Sequence, residues 1–536
     1  MNIHLPLWAA ILAATVSTSD AGSAFDETHS KLAESLRHDS LKLEITLPKA
    51  SYFLGEVIPV NFRFEDTKNT GRYKVWTGSV DRSGLIPGVE FTVDGPEGSF
   101  CDPLSLYFSI HLILLSGSGS YDNLGNINSS HDLNEWIRFD KPGRYRLYAT
   151  SSKIAQQMEG GQVEIKLISS VVDIEIRTPT PEEQNDAFHE AVAAFAPGGD
   201  QNQKLSTIQA ETRLRFLDTD ASRRKLRDLL GEPDFQGEAM LGLIGTREID
   251  ASMALLLEGL TAPEVAITWS YFDTLATLRR TQRGEVATPS PKFGHFVNPF
   301  GDIEDWKKLI ECFDQKTGRA CDVSAMTLFE RVRYEVKNAE LDLQDRLDHD
   351  AVLARIRVPL AARFDRLQYE EQRQLLRSSW EFIRCPEFIP PLRRIVAAPM
   401  EQPDFAESNS VRSLALLRYV ELEPAAGGAI ILDDIRRPRP NYSLEVLCAL
   451  PLEQVQGELP LLAANFASEG ADLEKIAGMI AHYGDRSIYD AVKARYLAIS
   501  ISPKLRWDLS ASQKVRLKAC LVSEREKEEF DRAFGG

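Results

Sequence analysis

The chain has 536 residues, 43% hydrophobic and 26% charged, which is ordinary globular composition but too long for a single hydrophobic core. A formal net charge of -17 opposes phosphate backbones and argues against nucleic acid as a partner. Six cysteines, widely spaced, are too few and too scattered for a disulfide scaffold or a zinc site.

At the start, the apolar run Leu5 to Val16 is followed by the small and polar stretch Ser17 to Ala24, with Ser19-Asp20-Ala21 or Gly22-Ser23-Ala24 as a cleavage site. This predicts a secretory signal peptide over 1–24 and a periplasmic or secreted location, although Met1-Asn2-Ile3-His4 lacks the usual positive charge. No cysteine follows the run, so a lipid anchor is not expected. No later stretch reaches about 18 apolar residues, so no membrane span is expected either.

From Leu41 to Ile176 apolar residues recur at every second position, as in Leu41, Leu43, Ile45 and in Ile58, Val60, Phe62, Phe64. The same alternation returns in Val89, Phe91, Val93, in Tyr145, Leu147, Ala149, in Val163, Ile165, Leu167 and in Val172, Ile174, Ile176. Short strands divided by Gly, Pro, Asn and Asp clusters predict an antiparallel β-sandwich over 40–177. Two segments carry a resemblance. Tyr52-Phe53-Leu54-Gly55-Glu56-Val57-Ile58-Pro59-Val60 resembles the strand, Gly-Glu turn and second strand of bacterial immunoglobulin-like and macroglobulin-like domains. Lys141-Pro142-Gly143-Arg144-Tyr145-Arg146-Leu147 resembles a tyrosine corner, with Leu147 where antibody domains carry cysteine.

Inside this region Trp76, Tyr121 and Trp136 are the aromatic candidates for carbohydrate stacking, with Trp136 better read as core. Asp122, Asn123, Asn126, Asn128 and Asp132 are rich in oxygen but miss the ligand register of a calcium loop. His111 reads as a core residue, and Ser116 to Ser120 as a flexible loop.

Arg177-Thr178-Pro179-Thr180-Pro181 breaks the strand pattern, so a linker is expected over 178–183 and an α-helical repeat domain over 184–536. Apolar spacing there becomes helical, as in Leu214, Leu217, Leu226, Leu229, Leu230 and in Leu414, Leu416, Leu417, Val420. Units of similar layout recur over 411–439, 441–469 and 472–499. This layout is similar to HEAT and armadillo repeats, which implies an α-solenoid.

Gln282 to Gly301 interrupts the helices with prolines, glycines and Phe293, His295, Phe296 and Phe300. These aromatics either tuck onto neighbouring helices or form a partner-binding insertion. Beyond the loop, Cys312 and Cys321 flank a polar turn and are candidates for a disulfide contributing roughly 2 to 3 kcal/mol. Cys385, Cys448 and Cys520 read as buried thiols.

Phosphate loops, nucleophile elbows, zinc-protease helices and dinucleotide fingerprints are all missing, so no residue is named catalytic and no cofactor or metal is expected. Glu370-Glu371 and Asp433-Asp434 splay in different directions on helices and read as solvated faces. The order of signal, immunoglobulin-like sandwich and HEAT-like repeats resembles uncharacterised exported bacterial proteins. The expectation is a non-catalytic interaction or scaffolding protein whose helical array binds another protein or peptide. The alternatives are an envelope hydrolase or glycan-acting enzyme, with His295 or His482 meeting carboxylates at the sandwich–helix junction, and a carbohydrate-binding module with a helical spacer.

Overall fold

The computed structural model describes residues 21–76, 88–103, 121–124, 127–158, 161–193, 210–232, 234–284, 302–338, 346–398, 410–467, 472–484, 515, 518–519, 521 and 523–534. Contacts divide the chain into two units, 1–320 and 321–536. A β region comes first and a region of many helices follows, as the change of period predicts.

Residues of period two form the strands. β1 (Leu41–Thr46), β3 (Pro59–Asp66) and β8 (Ile127–Asp132) make a three-stranded antiparallel sheet. Its register sets Leu43 opposite Phe64 and Ile45 opposite Phe62, so apolar pairs share one face. The second sheet has seven strands and is organised on β10 (Gly143–Met158). The first half of β10 pairs with β12 (Val172–Arg177) and β5 (Val89–Asp94), the second with β11 (Gly161–Ile168) and β4 (Tyr73–Trp76). β2 (Ser51–Phe53) lies parallel to β12, and β7 (Tyr121–Asn123) is antiparallel to β4. β6 (Phe100–Cys101) and β9 (Arg138–Phe139) form a short ladder of their own. Phe62, Phe64, Leu147, Ala149, Ile174 and Ile176, from both large sheets, belong to one buried core. Each large apolar side chain buried there contributes roughly 1.5–3 kcal/mol.

Several details of the sequence reading hold. The Tyr145 hydroxyl donates to the Lys141 carbonyl at 2.6 Å, with the Ser99 carbonyl 3.3 Å away, which is the corner expected after Gly143. Trp136 is core: its Nε1 donates to the Val89 carbonyl at 3.2 Å and its ring meets Phe91 edge to face. Val163 departs from the pattern, being 55% exposed toward the tip of the β10–β11 hairpin. A helix, Ala21–Ser35, precedes β1 and was not expected. Phe25 anchors it on Tyr148, and Asp26 pairs with Arg146. The first twenty residues of the expected signal peptide lie outside the described residues.

The helix Pro181–Ala193 begins inside the expected linker. Thr180 is its cap: its hydroxyl accepts from the Glu183 N–H at 3.2 Å, and the Glu183 carboxylate accepts from the Thr180 N–H at 2.9 Å. Pro181 supplies the preset backbone of a first helical position. The Arg177 guanidinium, bonded to Glu183, and the Thr180 N–H hold that carboxyl down to about 2.

Leu214, Leu217, Leu226, Leu229 and Leu230 are buried, as their helical spacing requires. In the first unit, Asp220–Leu229, Gln236–Ile244, Ile249–Thr261, Trp269–Gln282 and Ile303–Cys312 pack mostly on the next one or two helices. In the second, Val411–Leu422 packs on Pro424–Ile435, and Leu459–Ala467 packs on Leu473–Tyr483.

A recurrent device closes these helices. The last carbonyls of a helix have no partner within it and must find donors elsewhere. Lys316 Nζ lies 2.7–3.1 Å from the carbonyls of Gly259, Ala262 and Val265, just where Ile249–Thr261 ends. The Tyr483 hydroxyl serves Leu447 and Leu450, while Arg412 and Tyr442 serve Val396.

Lys316 also bears on the proposed bridge. Cys312 and Cys321, one half-buried and one buried, are not bridged to each other. The segment between them is a 3-10 turn, Phe313–Gln315, followed by the buried Lys316, rather than a solvated polar loop. Asp434 is a second correction, being 2% exposed instead of solvated. It accepts from the backbone N–H groups of Asn441 and Tyr442 and from the Asn441 side chain, which shapes the turn after its helix.

Candidate functional site

Within the first unit, a narrow cleft of about 30 Å³ lies where the Gly55-Glu56 turn of the β region meets the end of the helical segment 210–217. The turn explains the approach. Gly55 has φ +96°, and a Cβ there would stand 2.9 Å from the Leu217 carbonyl oxygen and 3.0 Å from that of Phe216. Only glycine permits both that conformation and that contact. Asn134 holds the turn from below, accepting from the Ile58 N–H at 2.7 Å and donating to the Glu56 carbonyl at 3.1 Å.

Asp218, directly after the helical segment, is the hub of the cleft wall. Its φ of +50° is one that Asp tolerates better than bulky residues. One carboxylate oxygen accepts from Arg223 at 2.8 Å and from the Thr246 hydroxyl at 2.6 Å. The other accepts from the backbone N–H and the Nε of Arg247, at 2.8 and 2.9 Å. Burial by itself would raise this carboxyl, but the Arg247 charge and the hydrogen bonds from Thr246 and Arg247 outweigh it and hold Asp218 below its ordinary value. A carboxylate so occupied is a poor proton acceptor.

Two more arginines tie the β region to the helices. Arg138, on β9, pairs with Asp140 at 2.7 Å and donates to the Gly245 and Thr246 carbonyls at 3.0 Å each. Arg215 is 5% exposed and grips Glu135 with two nitrogens, at 2.8 and 2.9 Å, while also reaching Glu238 at 3.1 Å. Beside it, Glu211 is buried, and burial together with the charges of Glu238 and Asp234 pushes it up to about 7. Deeper in the β region, burial and the Lys153 charge push His131 down to about 4. Its Nε2 lies 3.5 Å from Lys153 Nζ.

The structure does not bring the sequence candidates together here. The loop residues Phe293, His295, Phe296 and Phe300, together with His111, lie outside the described residues. His482 belongs to the second unit, edge-on to Tyr483. Trp76 and Tyr121 meet edge to face at 5.3 Å, both half-buried. Asp122 and Asn123 stand on β7 and Asn128 and Asp132 on β8, in different sheets, which separates the supposed calcium ligands. Among the described residues no three His, Cys, Asp or Glu side chains converge to hold a metal, and no helix is long and apolar enough to cross a membrane.

One arrangement in the second unit was missed. Glu335, fully buried, accepts from the Arg331 side chain, from the Leu347 N–H at 3.1 Å and from His349 Nε2 at 2.7 Å. The helix Gly318–Lys337 is thereby clamped to the start of His349–Arg363. Nothing in the spacing marks the contact, because the partners sit on different helices. Comparison with known protein families, curated proteins and solved structures finds no match to this chain.

Proposed function

We propose that the chain is an exported, non-catalytic interaction or scaffolding protein, in which an immunoglobulin-like β-sandwich carries a HEAT-like helical array that binds another protein or peptide. The observation that supports this reading is the packing of helices on their nearest neighbours in sequence, with long side chains from later in the chain capping the ends of earlier helices. Such stacking exposes successive helix faces for binding and requires no reactive residue. The sandwich part of the reading draws on the shared core of the two large sheets and on the Tyr145 corner. At the junction the cleft has room for about two waters, far less than a substrate pocket of roughly 300–1,000 Å³. The reading is tested by capturing partners on the full chain from native envelope and rebuilding the complex from purified components. A stoichiometric protein complex is expected. Recovery of a defined glycan or small molecule, with no protein bound, overturns it.

A further inference from the structure

We propose that the cleft beside Gly55 is a carboxylate-binding subsite anchored by Arg247, which receives a carboxylate of a partner polypeptide. The proposal goes beyond the reading above, which places binding on the helical array, and its failure leaves that reading standing. Arg247 lines the cleft and commits its backbone N–H and its Nε to Asp218. Its two terminal nitrogens have no partner among the described residues. Arg138 and Arg215, also in the cleft wall, have their guanidinium groups engaged by carboxylates and carbonyls. Arg247 is therefore the arginine of the wall with a two-nitrogen end still on offer, already oriented by a buried carboxylate.

A guanidinium end of this kind matches the two oxygens of a carboxylate, giving paired charge-assisted hydrogen bonds. Size and charge favour a carboxylate over phosphate. The cleft, at about 30 Å³, holds a planar group of a few atoms. The net charge of the chain, -17, repels a dianion more than a monoanion. Phe53 and Phe216 are among the residues lining the cleft and offer rings to the aliphatic stem that carries the carboxylate. A chain terminus and an acidic side chain both supply this chemistry.

Three dansyl peptides separate the sources on the full chain: triglycine as the free acid, triglycine as its amide, and Gly-Glu-Gly as its amide. Fluorescence anisotropy should show saturable binding of at least one carboxylate peptide, with the triglycine amide at least tenfold weaker. Tighter binding of the free acid assigns a chain terminus, and tighter binding of the Glu peptide assigns a side chain. Arg247→Lys keeps the charge beside Asp218 but removes the two-nitrogen end, and should weaken either peptide at least tenfold. Arg373→Gln, beside Glu370 on a helix of the second unit, should change nothing. Sodium acetate should compete on the unmodified protein where sodium chloride at equal ionic strength does not, a readout independent of how the variant folds. The proposal is overturned if the triglycine amide binds as well as the acids, if Arg247→Lys binds like the parent, if acetate and chloride compete equally, or if neither carboxylate peptide saturates.

Discussion

The β region and the helices that follow it meet the same demand, buried backbone polar groups needing partners, by different means. In the β region backbone satisfies backbone, through ladders set by alternating apolar residues, and the side chains left inside are mainly hydrocarbon. Among the helices the orphan carbonyls recruit Lys316, Arg412, Tyr442 and Tyr483 from later in the chain. Stability in the first case is spread over many interchangeable contacts. In the second it is concentrated in a few long polar side chains. The junction in the first unit has both characters, since backbone abuts backbone at Gly55 and a charge network closes around Asp218.

The largest effect should come from Asp218, because removing one partner of a buried network strands the others. Asp218→Ala leaves Arg247 without its carboxylate and Arg223 with Asp220 alone, and should cost about 4 kcal/mol in denaturant unfolding of the first unit. A loss below about 1 kcal/mol would mean that solvent reaches the network and that the contrast between the regions is false.

Acid titration sharpens the comparison, because the two regions should respond with opposite sign. His131 is held at about 4 when folded against 6.5 ordinarily, so the unfolded chain takes up that proton more readily. Its penalty is absent at neutral pH and grows as pH falls from 6.5 to 4. Glu211 is held at about 7 against 4.5, so the folded state is the better proton binder. Its penalty is absent below 4.5 and grows as pH rises through 7. Each amounts to about 3 kcal/mol at its limit. The parent should therefore vary little between pH 4.5 and 6.5. Glu211→Gln should lose stability on acidification across that window, and His131→Phe should gain it. Parallel slopes in the two variants would refute both assignments.

Gly55→Ala adds a clash with two carbonyl oxygens to a strained φ and should cost roughly 2–3 kcal/mol. Gly71→Ala, at φ +66° with open space around it, should cost about 1 kcal/mol. Equal thermal shifts in the two would mean that the turn does not press on the helix end. Lys316→Met leaves carbonyls at the end of Ile249–Thr261 short of a donor and should cost about 2 kcal/mol in the same unfolding measurement, between the two glycine changes. A neutral result would show that these helix ends do not depend on their distant donors.

Much of this was legible beforehand because it is local. The alternation in Leu41, Leu43 and Ile45 needs only the pleat to predict one buried face, and Gly143 before Tyr145 needs only a turn and a phenol. The start of the helix at Pro181 was legible too, in Thr180-Pro181-Glu182-Glu183, but two prolines in alternation drew the reading toward a linker. The candidate cleft was not legible. Asp218 and Arg247 are 29 residues apart, and Arg215 and Glu135 are 80 apart, with no common motif. The role of Lys316 was hidden for a related reason, since nothing near Cys312 reveals that this lysine is needed at the carbonyl of Gly259.

By itself the chain determined periodicity, and with it which stretches are strands and which are helices, because those preferences depend on neighbours within a few positions. Tertiary structure alone decided which charges meet. Arg247 is bound to Asp218 through its backbone N–H and its Nε, and lines a cleft, only because Gly55 lets the β region come within contact distance of a helix end. Long-range electrostatic partners are chosen by packing, and packing is set by surfaces that no local pattern records.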